Sequence, residues 1–119
     1  MTTWAVLASR PIHWIKAALR AFDDFPAEAK AQAASALAIV AEGRNPQVAK
    51  PLTGLGSGVW ELAIRQRGDA YRVVYLVQFE DGIWVVHAFQ KKSKRGIATP
   101  KVEIDVVRER LKRLKESLK

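Results

Sequence analysis

The feature that most constrains the fold of this sequence is a change of hydrophobic periodicity at Val59. Over residues 59–90, apolar side chains recur at every second position in three segments, which short turns at 67–69 and 80–82 separate. A period of two is that of a β-strand with two different faces. Asp81-Gly82 is typical of a tight hairpin turn. The pattern therefore predicts three strands in an antiparallel meander.

The same alternation predicts which residues share a face. In the first strand of the meander, one face carries Glu61, Ala63 and Arg65, and the other carries Trp60, Leu62 and Ile64. In the second strand, Tyr71–Phe79, Arg72 shares a face with Val74 and Leu76. In the third strand, Ile83–Gln90, His87 alternates with Val85 and Phe89, which predicts a core-facing histidine.

The residues before the meander have a helical period. A helix beginning near Ser9–Pro11 is predicted by an apolar stripe at Ile12, Ile15, Leu19 and Phe22. A second helix runs from about Pro26 to Glu42 and ends at Gly43, a residue that suits a helix C-terminus. The short apolar segment Thr3–Ala8 predicts an initial strand, and 44–58 is predicted to be a loop.

A last helix is predicted after the meander. Thr99 is expected to be its N-cap and Pro100 its first residue. Its apolar stripe consists of Ile104, Val107, Leu111, Leu114 and Leu118. The predicted order is β-α-α-β-β-β-α, an α+β fold in a single domain spanning 1–119.

The charge is positive and uneven. Lys and Arg number 20 and Asp and Glu 12, a net charge of +8, which favours polyanionic partners. There is no cysteine, which excludes a disulfide scaffold and a cysteine nucleophile. No metal-ligand cluster is apparent, so neither a metal nor a cofactor is expected. No apolar run suits a membrane span or a signal peptide, so a cytoplasmic protein with no membrane partner is expected.

Two features of the second half point to chemistry. Arg72 lies mid-strand on a partly apolar face, so it reaches solvent, pairs with Glu61 or lines an anion-binding cleft. The sequence Lys91-Lys92-Ser93-Lys94-Arg95 sets four cations in five positions at the end of a strand. Antiparallel pairing could bring Lys91 or Lys92 near Arg72. Such convergence suits RNA cleavage in which the ribose 2′-OH attacks its own phosphate.

Several motifs in this half of the chain resemble those of the RelE/ParE toxin superfamily, and within it the phage-related, HigB-like branch. They are Trp60-Glu61-Leu62, Tyr71-Arg72-Val73-Val74-Tyr75, the sequence from His87 to Lys94, and Thr99-Pro100. The resemblance covers nearly the whole chain. It implies a RelE-like fold, in which a helical hairpin packs on a twisted antiparallel sheet with a C-terminal helix.

The resemblance also implies the toxin of a type II toxin–antitoxin pair, neutralised by a helix-turn-helix antitoxin. RelE-like members enter the ribosomal A site and cut mRNA. Arg72, Lys91 and Lys92 are then the expected catalytic residues of an endoribonuclease. RNA binding is assigned to Arg65, Arg67, Lys94 and Arg95, and Glu61 and His87 are expected to support the site. Where relatives often have arginine this chain has Ala63, and Arg65 is the nearest substitute.

Two other functions fit the same fold. A ParE-like member would poison gyrase without RNA chemistry, and a non-catalytic relative would only bind RNA. The late tyrosine or histidine that several relatives use near the C-terminus is missing here, because both tyrosines of the chain lie on one strand. The acid and base of the cleavage reaction therefore cannot be transferred from the resemblance.

Overall fold

The computed structural model describes residues 9–78, 82–92 and 98–118. In chain order its elements are β1 (Ile12–Trp14), α1 (Lys16–Asp23), α2 (Ala27–Ala41), β2 (Ala49–Pro51), β3 (Val59–Gln66), β4 (Asp69–Gln78), β5 (Gly82–Lys91) and α3 (Lys101–Ser117). Three helices pack on a mixed five-stranded sheet of order β1-β5-β4-β3-β2. The predicted α+β class is confirmed.

The predicted meander forms β3, β4 and β5, which pair antiparallel. The first turn is a two-residue loop, since Gln66 pairs with Asp69. Both loop residues, Arg67 and Gly68, have positive φ values of 52° and 84°. This is the geometry of a type I′ turn, whose twist matches that of the strands it joins.

The sheet has an apolar layer on each face. On one face, α1 and α2 cover a core that includes Leu62, Val73 and Val85. On the other face, which we call the α3 face, α3 covers a smaller core that includes Val74, Val86 and Val107. The period-two assignments of β3 and β4 are therefore confirmed, because alternate residues of these strands enter different cores.

The predicted alternation of β5 is wrong at one point. Val74 pairs with His87 and Tyr75 with Val85, so Val86 is an extra residue in a β-bulge. A bulge reverses the alternation beyond it. Val85 consequently packs in the core under α1 and α2, whereas His87 lies on the α3 face with Phe89, its ring stacked 5.0 Å from the phenyl ring.

The N-terminal half departs further from the sequence prediction. The first helix begins at Lys16, not near Ser9, because Ile12–Trp14 pairs in parallel with β5. Leu19 of the predicted stripe is 39% exposed, and Ala18 is buried in its place. The loop prediction is wrong at 49–51, where β2 pairs with β3 at the sheet edge. The predicted strand Thr3–Ala8 lies outside the described residues.

The capping residues predicted for the C-terminus of α2 and for the N-terminus of α3 differ in outcome. Gly43 follows α2 with a φ of +88°, and its N–H bonds the Val40 carbonyl at 2.9 Å, so the predicted glycine cap is confirmed. Thr99 is not the N-cap of α3. That position belongs to Pro100, with no side-chain capping bond.

Within the described ranges, no helix has the length and apolar character needed to span a bilayer.

Candidate functional site

Strand register gathers five of the predicted site residues on the α3 face. Three rows of paired residues cross β3, β4 and β5 in succession: Arg65–Ala70–Lys91, Ala63–Arg72–Phe89 and Glu61–Val74–His87. Adjacent strands lie about 4.8 Å apart, so the backbones at Arg65 and Lys91 are separated by about 10 Å. The expected proximity of Lys91 to Arg72 is confirmed, since the two are diagonal neighbours on one face.

Arg72 is buried and paired with Glu61. Its Nη1 donates to Glu61 Oε1 at 3.0 Å, and the side chains are 7% and 0% exposed respectively. The predicted pairing of Arg72 with Glu61 is confirmed. Burial of two charges is costly unless they are paired, so this contact fixes the guanidinium in one position on a rigid strand.

Glu61 contacts two further residues, one in the segment before α3 and one on β2. The Thr99 hydroxyl donates to Glu61 Oε2 at 2.6 Å, and Lys50 of β2 lies 3.8 Å from Oε1. The contact with Thr99 replaces the helix-capping role predicted for this residue. It ties the segment before α3 to the centre of the sheet, so that α3 begins directly beside the Glu61–Arg72 pair.

Two further cations, Arg65 and Lys91, lie at the two ends of the row Arg65–Ala70–Lys91. Arg65 is exposed and Lys91 is 7% exposed. The small side chains of Ala63 and Ala70, both half-buried, occupy the sheet between Arg65, Arg72 and Lys91. The prediction that Arg65 shares the face of Ala63 is confirmed. This end of the α3 face therefore presents cations around two small residues.

His87 lies between two side chains of α3. Its Nε2 is 2.8 Å from Glu103 Oε1 and its Nδ1 is 3.1 Å from Arg110 Nη1. A guanidinium only donates, so Nδ1 accepts and Nε2 carries the proton that is donated to the carboxylate. Burial lowers the pKa of His87, although the hydrogen bond to Glu103 acts to raise it. The ring is consequently neutral, and both of its nitrogens are engaged.

The other predicted residues lie elsewhere. Lys92 is exposed and lines a cavity of about 460 Å³ together with Tyr71 and Phe25 from the α1–α2 side. The structure does not bring it to the α3 face. Arg67, in the exposed turn, forms an ion pair with Glu28 at 3.3 Å. Lys94 and Arg95 lie outside the described residues.

Sequence reasoning missed Lys50, Thr99, Glu103 and Arg110 as neighbours of the site. Glu103 and Arg110 are seven residues apart, which places them on one side of a helix, and this spacing was the available signal. No sequence signal marked Lys50, because the sequence of its short strand resembles that of a loop. In the part of the chain that is described, no three His, Asp or Glu side chains are grouped as a metal site.

Comparison with known proteins gives a family match and a fold match. The family model described as "Phage derived protein Gp49-like (DUF891)" matches residues 20–112. The solved structure of an arginine-to-alanine double variant of the E. coli toxin RelE, in the free state, is similar with a TM-score of 0.63. The two share 19% identity, and the match covers 88% of this chain and 97% of that one. No curated protein sequence matches. The predicted RelE-like fold is confirmed.

Proposed function

This chain belongs to the Gp49-like family of phage-derived proteins, and we propose that it is the toxin of a type II toxin–antitoxin pair that cuts mRNA on the ribosome. The phage-related family and the RelE fold bear out the resemblance seen in the sequence. The E. coli protein with this fold is a toxin, which supports the same class of function here.

The observation that carries the proposal is the charge of the α3 face at the Arg65 end. In the described part of the chain, β2 to β5 contribute four cations to this face: Lys50, Arg65, Arg72 and Lys91. Glu61 contacts two of these cations, Lys50 and Arg72. Cations held in place on rigid strands stabilise the negative charge that develops on a phosphate during cleavage.

In the proposed reaction, the ribose 2′-OH loses its proton and attacks the adjacent phosphorus. The bond from phosphorus to the 5′-oxygen breaks, and that oxygen takes up a proton. Arg65, which is exposed, contacts the phosphate directly. Arg72 and Lys91 stabilise its charge from beneath, and Glu61 orients Arg72. His87 positions the start of α3 through Glu103.

The RNA-binding roles extend around this end of the sheet. Arg67 in the turn and Lys92 after β5 are exposed and supply contacts to RNA on either side of the phosphate. Lys92 faces a different cavity from Arg72, so its contribution is to binding and not to the charge at the scissile phosphate. Lys94 and Arg95 keep the RNA-binding role predicted from sequence.

The proposed partners are a helix-turn-helix antitoxin, mRNA and the ribosomal A site. Neutralisation by the antitoxin would cover the cations of the α3 face or displace the segment that positions them. The basic surface would draw the protein to ribosomal RNA through a salt-dependent attraction.

A non-catalytic RNA-binding protein is the second candidate. The low exposure of Arg72 favours it, because a guanidinium that is 7% exposed reaches a phosphate only through a local opening. This candidate shares the basic surface with the first and differs only in the chemistry.

Pulse labelling after induced expression separates these functions. The proposed nuclease blocks incorporation of labelled amino acids, and purified protein added to programmed ribosomes cuts the mRNA at the codon held in the ribosomal A site. A DNA-damage response with intact protein synthesis would instead identify a gyrase inhibitor. RNA binding without cleavage on the ribosome would support the non-catalytic candidate and overturn the nuclease.

A further inference from the structure

A basic cavity lies at the opposite end of the sheet from the candidate site. It has a volume of about 460 Å³ and is lined by Arg10, Arg44, Lys115 and Trp60, among others. Among the described residues that line it, none is a carboxylate. Val59 at this end and Gln66 at the other are seven residues apart on β3, or about 23 Å at 3.3 Å per residue.

The fold brings these three cations together from distant parts of the chain. The backbone N–H of Arg10 bonds the Ala41 carbonyl at 2.9 Å, which fixes Arg10 beside the end of α2. A Cβ on Gly43 would lie 4.0 Å from Arg10 Nη2, so the guanidinium lies beside this glycine. Arg44 follows directly in the chain and pairs with exposed Glu42.

Lys115 reaches the cavity from the last turn of α3. A Cβ on Gly56 would lie 3.4 Å from its Nζ, so the ammonium group rests against the glycine-containing loop before β3. Lys115 also lines a second cavity of about 220 Å³ with Arg108 and Lys112. These three positions lie on one side of α3, and the shared lysine joins the two cavities into one basic surface.

We propose that the larger cavity is a second RNA-binding site, which holds one phosphorylated nucleotide of an RNA strand. Arg10, Arg44 and Lys115 bind its phosphate, and Trp60, which is half-buried in the wall, contacts the base. Cations combined with an aromatic ring are the usual elements of single-stranded RNA binding. The volume lies within the range of small-ligand sites.

The strand continues from the cavity in two directions. Toward α3 it follows Arg108 and Lys112. Toward the candidate site it spans about 23 Å, the length of seven residues of β3. An acidic protein segment would satisfy the cations but would leave the indole in a nucleotide-sized cavity unused, so RNA is the ligand that accounts for all of these residues. The inference rests on the proposed function in taking RNA as the substrate class.

The test measures binding of a 12-nucleotide RNA that carries 2′-O-methyl groups, because such an RNA cannot be cleaved. The cavity variant is Arg44→Gln/Lys115→Gln. The matched control is Lys16→Gln/Arg20→Gln, which removes the same charge from exposed positions on α1. Each phosphate contact to a single strand contributes about 0.7 to the slope of log K against log salt. The slope should fall by about 0.7 in the cavity variant, because the contact to the one phosphate held in the cavity is lost, and it should stay near the wild-type value in the control.

A second readout uses Trp60. A nucleoside 5′-monophosphate should quench tryptophan fluorescence of the wild type, and the Trp60→Phe variant should lose this quenching. Equal RNA affinity and salt slope in the cavity and control variants would overturn the proposal. Displacement of the RNA by polyglutamate of equal charge, at equal concentration, would also overturn it and indicate an acidic protein ligand.

These readouts are independent of cleavage. If ribosome-dependent cleavage is absent but the cavity variant loses the salt slope, the nuclease proposal fails and the RNA site stands. If cleavage is present and the cavity variant binds RNA like the control, the second site fails and the nuclease stands.

Discussion

Arg72 Nη1 donates a hydrogen bond of 3.0 Å to Glu61 Oε1, from the strand beside it, and Glu61 is fully buried. The two residues are diagonal neighbours, because Glu61 pairs with Val74 and Arg72 with Ala63. This contact gives Arg72 a structural role whatever its part in chemistry. A loss of toxicity in Arg72→Ala alone therefore does not identify a catalytic residue.

Removal of one partner of the Glu61–Arg72 pair should destabilise the protein strongly. Arg72→Gln leaves a buried carboxylate without its main partner, and we expect a loss of about 3–5 kcal/mol in the free energy of unfolding. The double variant Glu61→Gln/Arg72→Gln should lose less than the sum of the two single changes, as urea unfolding would show. Strictly additive losses would mean that the pair is not coupled.

The double variant also tests the chemistry. It keeps the neutral hydrogen-bonding groups near Thr99 but removes the Arg72 charge, so it should fold and yet cut mRNA on ribosomes on the order of 10²-fold more slowly. Cleavage at the wild-type rate by the folded double variant would remove Arg72 from the proposed mechanism.

Arg65→Gln should reduce RNA binding and cleavage without changing stability. Arg65 is exposed at the end of β3, and loss of one phosphate contact should lower the salt slope of RNA binding by about 0.7. Arg113→Gln is the matched control, because Arg113 is an exposed arginine whose side chain pairs with Glu109 on α3. If both variants bind and cleave alike, the assignment of Arg65 is wrong.

The stability of the protein should fall in mild acid because of His87. Burial lowers its pKa in the folded state, so below the ordinary value of about 6.5 the unfolded chain binds more protons than the folded one. The contribution of the neutral ring is present above about pH 6.5 and is lost as the pH falls toward the folded-state pKa. Urea unfolding of the wild type at pH 7.5 and 5.5 measures this loss.

His87→Gln is the comparison for that experiment, since an amide can still meet Glu103 and Arg110 but does not titrate in this range. The difference in unfolding free energy between the two pH values should shrink in the variant. An unchanged pH dependence would show that another group causes the acid sensitivity.

Tyr75→Phe should stabilise the protein. Among the described residues, the buried Tyr75 hydroxyl has no hydrogen-bond partner, and burial raises the pKa of this tyrosine to about 12. Removal of an unsatisfied buried hydroxyl should raise the free energy of unfolding by about 1 kcal/mol. Alkaline absorbance titration should show a tyrosine that ionises near pH 12 in the wild type and is missing from the variant. A destabilised variant would indicate a hydrogen bond to the hydroxyl.

Much of the fold was predictable because its signals are local. The two-residue period located β3, β4 and most of β5, and Gly43 ended α2 as expected. The errors came from contacts between distant residues. Ile12 fits a helical stripe, yet it pairs with Ile83 of β5. Gly82 permits this approach, because a Cβ there would lie 2.3 Å from the Pro11 carbonyl oxygen.

The candidate site also combines features that the sequence determined with features that depend on tertiary contacts. The sequence by itself determined that Arg65 shares a face with Glu61, because side chains alternate along any strand. The register between β3 and β4 then placed Arg72 on that face. Only the tertiary structure decided that Thr99 bonds Glu61, that a bulge turns His87 toward Glu103, and that Arg10, Arg44 and Lys115 meet at one cavity. Each of these depends on how separate elements pack, and local periodicity carries no information about packing between them.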